Sequence, residues 1–124
     1  MFSQVSELRV RGLKSMSFMS NCNPYIYVII GMTKQKTTVV KNRNEAEWNT
    51  ERFKFPAVRA RVHQLRIHLK VYDKELIRRK RLVGSVTISL APLAVHDIDQ
   101  WFALDGGEVK SAGEIHVLIR VTDM

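Results

Sequence analysis

The stretch from Leu65 to Gly84, LRIHLKVYDKELIRRKRLVG, constrains this chain more than any other. Leu65, Ile67, Leu69 and Val71 alternate with Arg66, His68, Lys70 and Tyr72. A period of two sends successive side chains to opposite faces, so this segment is a strand with one buried and one wet face. Strands of that kind favour antiparallel pairing, because all-parallel sheets are covered on both faces. The strand then breaks into a short charged loop. Asp73 and Glu75 open it, where oxygens for a cation would sit. Arg78, Arg79, Lys80 and Arg81 follow, and they would repel that cation.

The same pattern recurs along the chain. Glu7 to Arg11 alternates with Leu8 and Val10 inward, and Tyr25 to Ile30 is β-branched and aromatic. Thr37 to Val40 follows a turn near Gly31, and Arg52 to Phe55 puts Phe53 and Phe55 on one face. Val83 to Leu90 follows the charged loop, and Gln100 to Leu104 carries Trp101. Glu114 to Val121 sets Ile115, Val117, Ile119 and Val121 inward. About eight short strands separated by turn residues predict an all-β fold, an antiparallel sandwich or barrel. Glu45 to Glu51 and Pro92 to Asp99 have room for a helical turn, and Gly106-Gly107 reads as a turn. No repeat, low-complexity tract or linker interrupts the pattern, so a single domain over residues 1–124 is expected. A chain of this size buries roughly two-thirds of its unfolded surface, enough for a core without staples.

The balance of 20 basic against 12 acidic residues leaves a net charge of +8. Such a field draws in nucleic acid, phospholipid head groups or an acidic protein. Cys22 is the single cysteine, which excludes an intrachain disulfide and fits a reducing, intracellular setting. No apolar run approaches the roughly 20 residues that span a bilayer, and the N-terminus lacks the pattern of a signal peptide. There is no GxGxxG or GxxxxGK[ST] phosphate loop and no HExxH. His63, His68, His96 and His116 lack metal-ligand spacing; His68 and His116 are expected to point outward from strands. Cys22 is expected to be a buried or idle thiol, and Trp48 and Trp101 to be core anchors. Asp97 and Asp99 are close carboxylates without a supporting motif. Neither an enzyme nor a cofactor is expected.

The order of these features resembles the C2 domain, the phospholipid-binding β-sandwich of signalling and trafficking proteins. LRVRGL comes first, then NPYIYV at a DPY-type signature, KQKTTVV, and EAEWN in place of Asn-Pro-x-Trp-Asn. FKF, LRIHLKVYD, LVGSVTISL, QWFAL and GEIHVLIRV follow in family order. The resemblance covers essentially the whole chain. It implies an antiparallel eight-stranded Greek-key sandwich in the permuted (type II) connectivity, because GEIHVLIRV comes last. Family calcium sites take aspartates from two loops. Their positions here carry Ser17, Asn23, Asp73, Glu75 and Arg81. Calcium wants six to eight oxygens, several of them carboxylates. With most of those gone, the resemblance implies a calcium-independent variant with a degenerate site and no bound metal. The alternative is that Asp73 and Glu75 keep a weak site.

In conventional protein kinase C the C2 domain also has a lysine-rich concave face for phosphoinositide head groups. Its matching positions are Tyr25, Lys34, Lys36 and Tyr72; alternation adds Arg66, His68 and Lys70. Tyr27 and Ile29 stand where lysine is frequent, so the face is more aromatic than a pure lipid patch. Exposed tyrosine and arginine also favour protein interfaces, and a solvated strand face is the plainest reading. Arg78, Arg79, Lys80 and Arg81 fall at the tip where C2 domains meet the bilayer, each cation worth about 1 kcal/mol there. Met16, Phe18 and Met19 in the first loop are membrane-insertion candidates; the alternative is that they pack on each other or on a neighbouring domain. RRKR also resembles a nuclear localisation patch, but between two strands it reads as a loop. The expected function is a non-catalytic, calcium-independent targeting module for acidic membrane, cytoplasmic and peripheral, within a larger protein. The alternative is a protein-interaction domain using the same face. Nucleic acid is not an expected partner, because no recognition helix is present.

Overall fold

The computed structural model describes residues 2–13, 22–41, 43–56, 59–74, 80–106 and 112–122. Among these, nine strands follow in chain order: β1 (Phe2–Arg11), β2 (Pro24–Ile30), β3 (Thr33–Lys36), β4 (Ala46–Trp48), β5 (Phe53–Pro56), β6 (Arg66–Lys74), β7 (Lys80–Ser89), β8 (Ile98–Ala103) and β9 (Glu114–Thr122). Two antiparallel sheets result. The first runs β4, β1, β9, β8, with β5 also on β1; the second runs β3, β2, β6, β7. β9 pairs β1 from Phe2 to Arg11. That leaves β4 and β5 end to end along the other side, on Leu8–Val10 and Phe2–Val5. Nine strands thus fill the eight places of the expected sandwich.

Alternation does the sorting. Ile67, Leu69 and Val71 of β6 are fully buried and meet Val5, Leu8, Ile115, Val117 and Ile119 of the first sheet in one core. Burying one such side chain stabilises the fold by about 1.5–3 kcal/mol. Trp48 is buried as expected, and its Nε1 donates to the Thr38 carbonyl at 2.9 Å.

Two expectations need correction. The strand expected over Thr37 to Val40 is instead Thr33–Lys36. Gly31, at φ 59°, and Met32 form a two-residue turn between the paired Ile30 and Thr33, and that turn sets the register. Thr37 then turns inward, where its Oγ1 accepts the Ile26 N–H at 2.9 Å. Glu45 to Glu51 holds no helical turn: Ala46 and Trp48 both point inward, a period of two that makes β4. The helical turn expected over Pro92 to Asp99 is present as one 3-10 turn at Ala91–Ala94, and the chain is extended again from Ile98. A further 3-10 turn at Arg59–Gln64 has no local signal in the sequence. Gly107, half of the expected Gly106-Gly107 turn, lies outside the described residues.

β1 carries a bulge. Ser6 faces Leu118 and Arg9 faces His116, so β1 has one residue more than β9 between those pairs. Glu7, inside the bulge, has φ 48°, a region costly for a side chain other than glycine. Gly113, at φ 110°, lets β9 start against the end of β1: a Cβ there would lie 2.7 Å from the Arg11 carbonyl oxygen.

Candidate functional site

The outer face of the second sheet is built in rows, because directly opposed residues on neighbouring strands share a face. One row is Lys36, Tyr27, Lys70 and Ser85; the next is Lys34, Ile29, His68 and Thr87. Tyr25, Tyr72 and Leu82 form a third, nearer the start of β2. Arg66, exposed and opposite Ser89, opens β6 at the far end. Tyr27 therefore stands between two lysines, and Lys34 Nζ lies 4.1 Å from the centre of its ring. His68 Nδ1 is 2.9 Å from Thr87 Oγ1. Among the described residues no carboxylate forms an ion pair with Lys34, Lys36 or Lys70.

The aromatic part differs from expectation in one respect. Tyr25 is buried, 7% exposed, and does not flank the face as an open ring. It stacks on Tyr72 at 5.8 Å and meets Tyr27 edge-on at 5.6 Å, while Tyr27 and Tyr72 touch at 5.2 Å. Burial, then Tyr27 beside it, pushes the Tyr25 phenol above its ordinary pKa. Tyr27 and Tyr72 remain half-buried, and Leu82 beside them is 49% exposed.

At the end of this sheet, Asp73 is buried, and its Oδ1 accepts the Asn23 N–H at 2.9 Å. The Asn23 side chain donates to the Lys74 carbonyl at 3.2 Å. Arg81 stands directly across from Asp73 in the β6–β7 ladder. Cys22 is fully buried beside Asp73; burial, then the Asp73 charge and hydrogen bond, pushes its thiol up to about 12. Such a thiol stays protonated and is a poor nucleophile at neutral pH. Ser17, Glu75, Arg78, Arg79, Met16, Phe18 and Met19 lie outside the described residues, as does the side chain of Lys80. Among the described residues no cluster of His, Cys, Asp and Glu is arranged to hold a metal ion, and no helix is long and apolar enough to cross a membrane.

The outer face of the first sheet holds what sequence reasoning missed. Glu47, Arg9, His116 and Trp101 form one row. His116 points outward from its strand as expected, yet it is only 3% exposed. Its Nε2 is 2.7 Å from Asp99 Oδ1 and its Nδ1 is 2.8 Å from the carbonyl oxygen of Glu7, inside the bulge. Trp101, expected in the core, instead lies on this outer face. It packs on His116 at 5.5 Å, with the Arg11 guanidinium 3.8 Å above its ring. The one local hint was that Arg9, Arg11, His116 and Trp101 sit on alternating strands.

The family model described as C2 domain matches residues 3–104. A curated relative, FT-interacting protein 1 of Arabidopsis thaliana, is 32% identical over 112 residues, covering 81% of this chain and 13% of its own length. The FT-interacting protein 1 of Oryza sativa subsp. japonica is 31% identical over 119 residues, 14% of its length. The chain therefore spans about one-seventh of the curated relatives it matches. Among solved structures, a C2 domain of plant Extended Synaptotagmin 1 superposes with a TM-score of 0.84 at 22% identity, covering 98% of this chain and 96% of that one.

Proposed function

The chain belongs to the C2 domain family, and on that premise we propose that it is a non-catalytic targeting module for acidic phospholipid, phosphoinositides included, which docks without calcium. The observation that carries this reading is the row Lys36, Tyr27, Lys70, with Lys34 beside it. The two lysines are two strand spacings apart, about 10 Å. They bracket an aromatic ring, and no carboxylate among the described residues pairs with them. A multiply charged head group needs converging cations, and an aromatic edge suits the apolar side of its ring. Arg66 extends the positive strip along β6, with the imidazole of His68 beside it as a hydrogen-bonding group. The basic loop of Arg78, Arg79, Lys80 and Arg81 and the apolar Met16, Phe18 and Met19 belong to the same reading as contacts with the bilayer surface.

Calcium independence draws support from the Asp73 end. Its carboxylate is buried and already accepts an amide hydrogen, its neighbour in the family pattern is the neutral Asn23, and a guanidinium residue stands opposite. Among the described residues a hard dication there would find one carboxylate where it needs several.

Co-sedimentation with vesicles tests the reading, with and without phosphoinositide, in calcium and in chelator. The expected result is binding that requires the anionic lipid and ignores calcium. Binding that appears only with calcium would overturn the metal-free reading. A second reading, docking of a protein partner on the same face, is favoured by one observation: Tyr25, Tyr27, Tyr72 and the exposed Leu82 form an aromatic and apolar centre. Affinity of that origin resists moderate salt, whereas attraction through exposed charges fades within a Debye length of about 8 Å at physiological ionic strength.

A further inference from the structure

We infer that the first sheet carries a second binding site, a pocket for an acidic peptide segment. A cavity of about 490 Å³ opens beside β1 and β4 on the first sheet. Its walls bear Arg9, Arg11, Arg43, Trp101, Glu45 and Glu47 over an aliphatic floor. The volume falls in the range of about 300–1,000 Å³ typical of ligand pockets, enough for a few side chains of an extended segment.

The guanidinium of Arg11 is already placed. Trp101 lies 3.8 Å beneath it, and Glu114 Oε1 holds its Nε at 3.1 Å. Contact through Nε leaves the two terminal nitrogens of the fork without another partner among the described residues. A fork of that shape matches a carboxylate with two parallel hydrogen bonds. Arg9 supplies a second guanidinium, its Nη2 lying 3.3 Å from His116 Nδ1 and its centre 5.7 Å from that of the Trp101 ring. Arg43 is exposed and has no ion-pair partner among the described residues. Guanidiniums fixed before binding lose less freedom on binding.

Glu45 and Glu47 decide the occupant. A continuous anionic surface, such as a membrane, would be pushed away by two carboxylates on the wall. A peptide presents its carboxylates singly, with amide hydrogens between them that glutamates accept. The inference rests on different residues from the lysine face and stands apart from the function proposed above.

The test uses a fluorescently labelled hexapeptide of alternating glutamate and alanine, followed by anisotropy and by the NMR signal of the Trp101 indole. The expected result is saturable binding in the sub-millimolar range that shifts the indole signal. Arg11→Gln with Arg43→Gln should weaken it at least about tenfold. Arg11→Lys should weaken it nearly as much, because lysine neither stacks nor forks. Arg43→Gln alone, an exposed substitution that leaves the core intact, should cost roughly threefold. Lys36→Glu with Lys70→Glu should leave peptide binding unchanged. No saturation up to about 5 mM, a range where affinity is below about 3–4 kcal/mol, overturns the proposal. Loss of binding in the Lys36 and Lys70 variant with the indole unmoved overturns it too. So do phosphatidylserine vesicles that shift the indole only while Arg11 and Arg43 are present, since the occupant would then be lipid.

Discussion

The two outer faces of the sandwich both carry cations and hold them in opposite ways. On the second sheet Lys34, Lys36 and Lys70 form no ion pair with a carboxylate among the described residues. On the first sheet Arg11 and Arg120 each have a carboxylate oxygen within 3.2 Å, and Arg11 also lies on an indole. Lysine is a hydrated point charge on a flexible stem, whereas a stacked arginine is a rigid planar fork. The first arrangement tolerates phosphates in many positions; the second selects a shape. A net charge of +8 describes neither.

The comparison breaks or holds first under charge reversal. Lys36→Glu with Lys70→Glu changes the second face by four units of charge. At about 1 kcal/mol per unit near an anionic leaflet, vesicle binding should fall by roughly a thousandfold. Arg11→Gln on the other face should change it by less than about twofold. An equal loss from both would mean that the two faces act as one field. The next largest effect is on stability. His116→Ala removes the group that spans Asp99 and the Glu7 carbonyl. Urea unfolding should show a loss of about 1–2 kcal/mol, from the two hydrogen bonds of a buried ring; the Asp99 side chain is exposed and regains water. His68→Ala, a half-buried histidine on the other face with one hydroxyl partner, should cost less than about 1 kcal/mol.

The third effect lies inside the sandwich. The Cys22 thiol is pushed from the 9.0 of an unperturbed group to about 12, so the folded chain keeps a proton that the unfolded chain loses. Its stabilising contribution is whole below about pH 9 and is lost as pH rises toward 12. By pH 10 thermal or urea unfolding should show a loss of about 1.4 kcal/mol that Cys22→Ala abolishes. The smallest effect sharpens the lysine face. Tyr27→Leu removes the ring under Lys34 and should weaken vesicle binding by about 0.5–1 kcal/mol, two- to fivefold.

Much of the fold was legible because it is periodic. β6 and β9 show their buried faces in alternating Ile, Leu and Val, and neither needs a distant partner to be recognised. The Thr37 to Val40 segment misled because its β-branched run looks more strand-like than Thr33–Lys36, while the turn at Gly31 and Met32 decides the register. β4 is three residues long, too short to show a period. The lysines of the second face were legible for the same reason as the strands: alternation opposite a core pattern assigns them outward. His116 and Trp101 were not. A histidine becomes buried on an outer face only when Arg9, 107 positions away, and Trp101 close over it, and nothing local announces such a contact. The burial of Tyr25 has the same origin, in Tyr72 of another strand.

The place of β9 has a kinetic consequence. It is the last of the described strands, yet it lies between β1 and β8 in the middle of its sheet. The first strand must keep one edge waiting while the rest of the chain is made. Joining them closes a loop of about 100 residues, which costs roughly 4 kcal/mol of chain entropy before any contact repays it. Folding of this domain should therefore be slow for its size, in the millisecond-to-second range of chains dominated by distant pairings. Only the seating of β9 between β1 and β8 completes the first sheet, the row holding Arg9, His116 and Trp101 included.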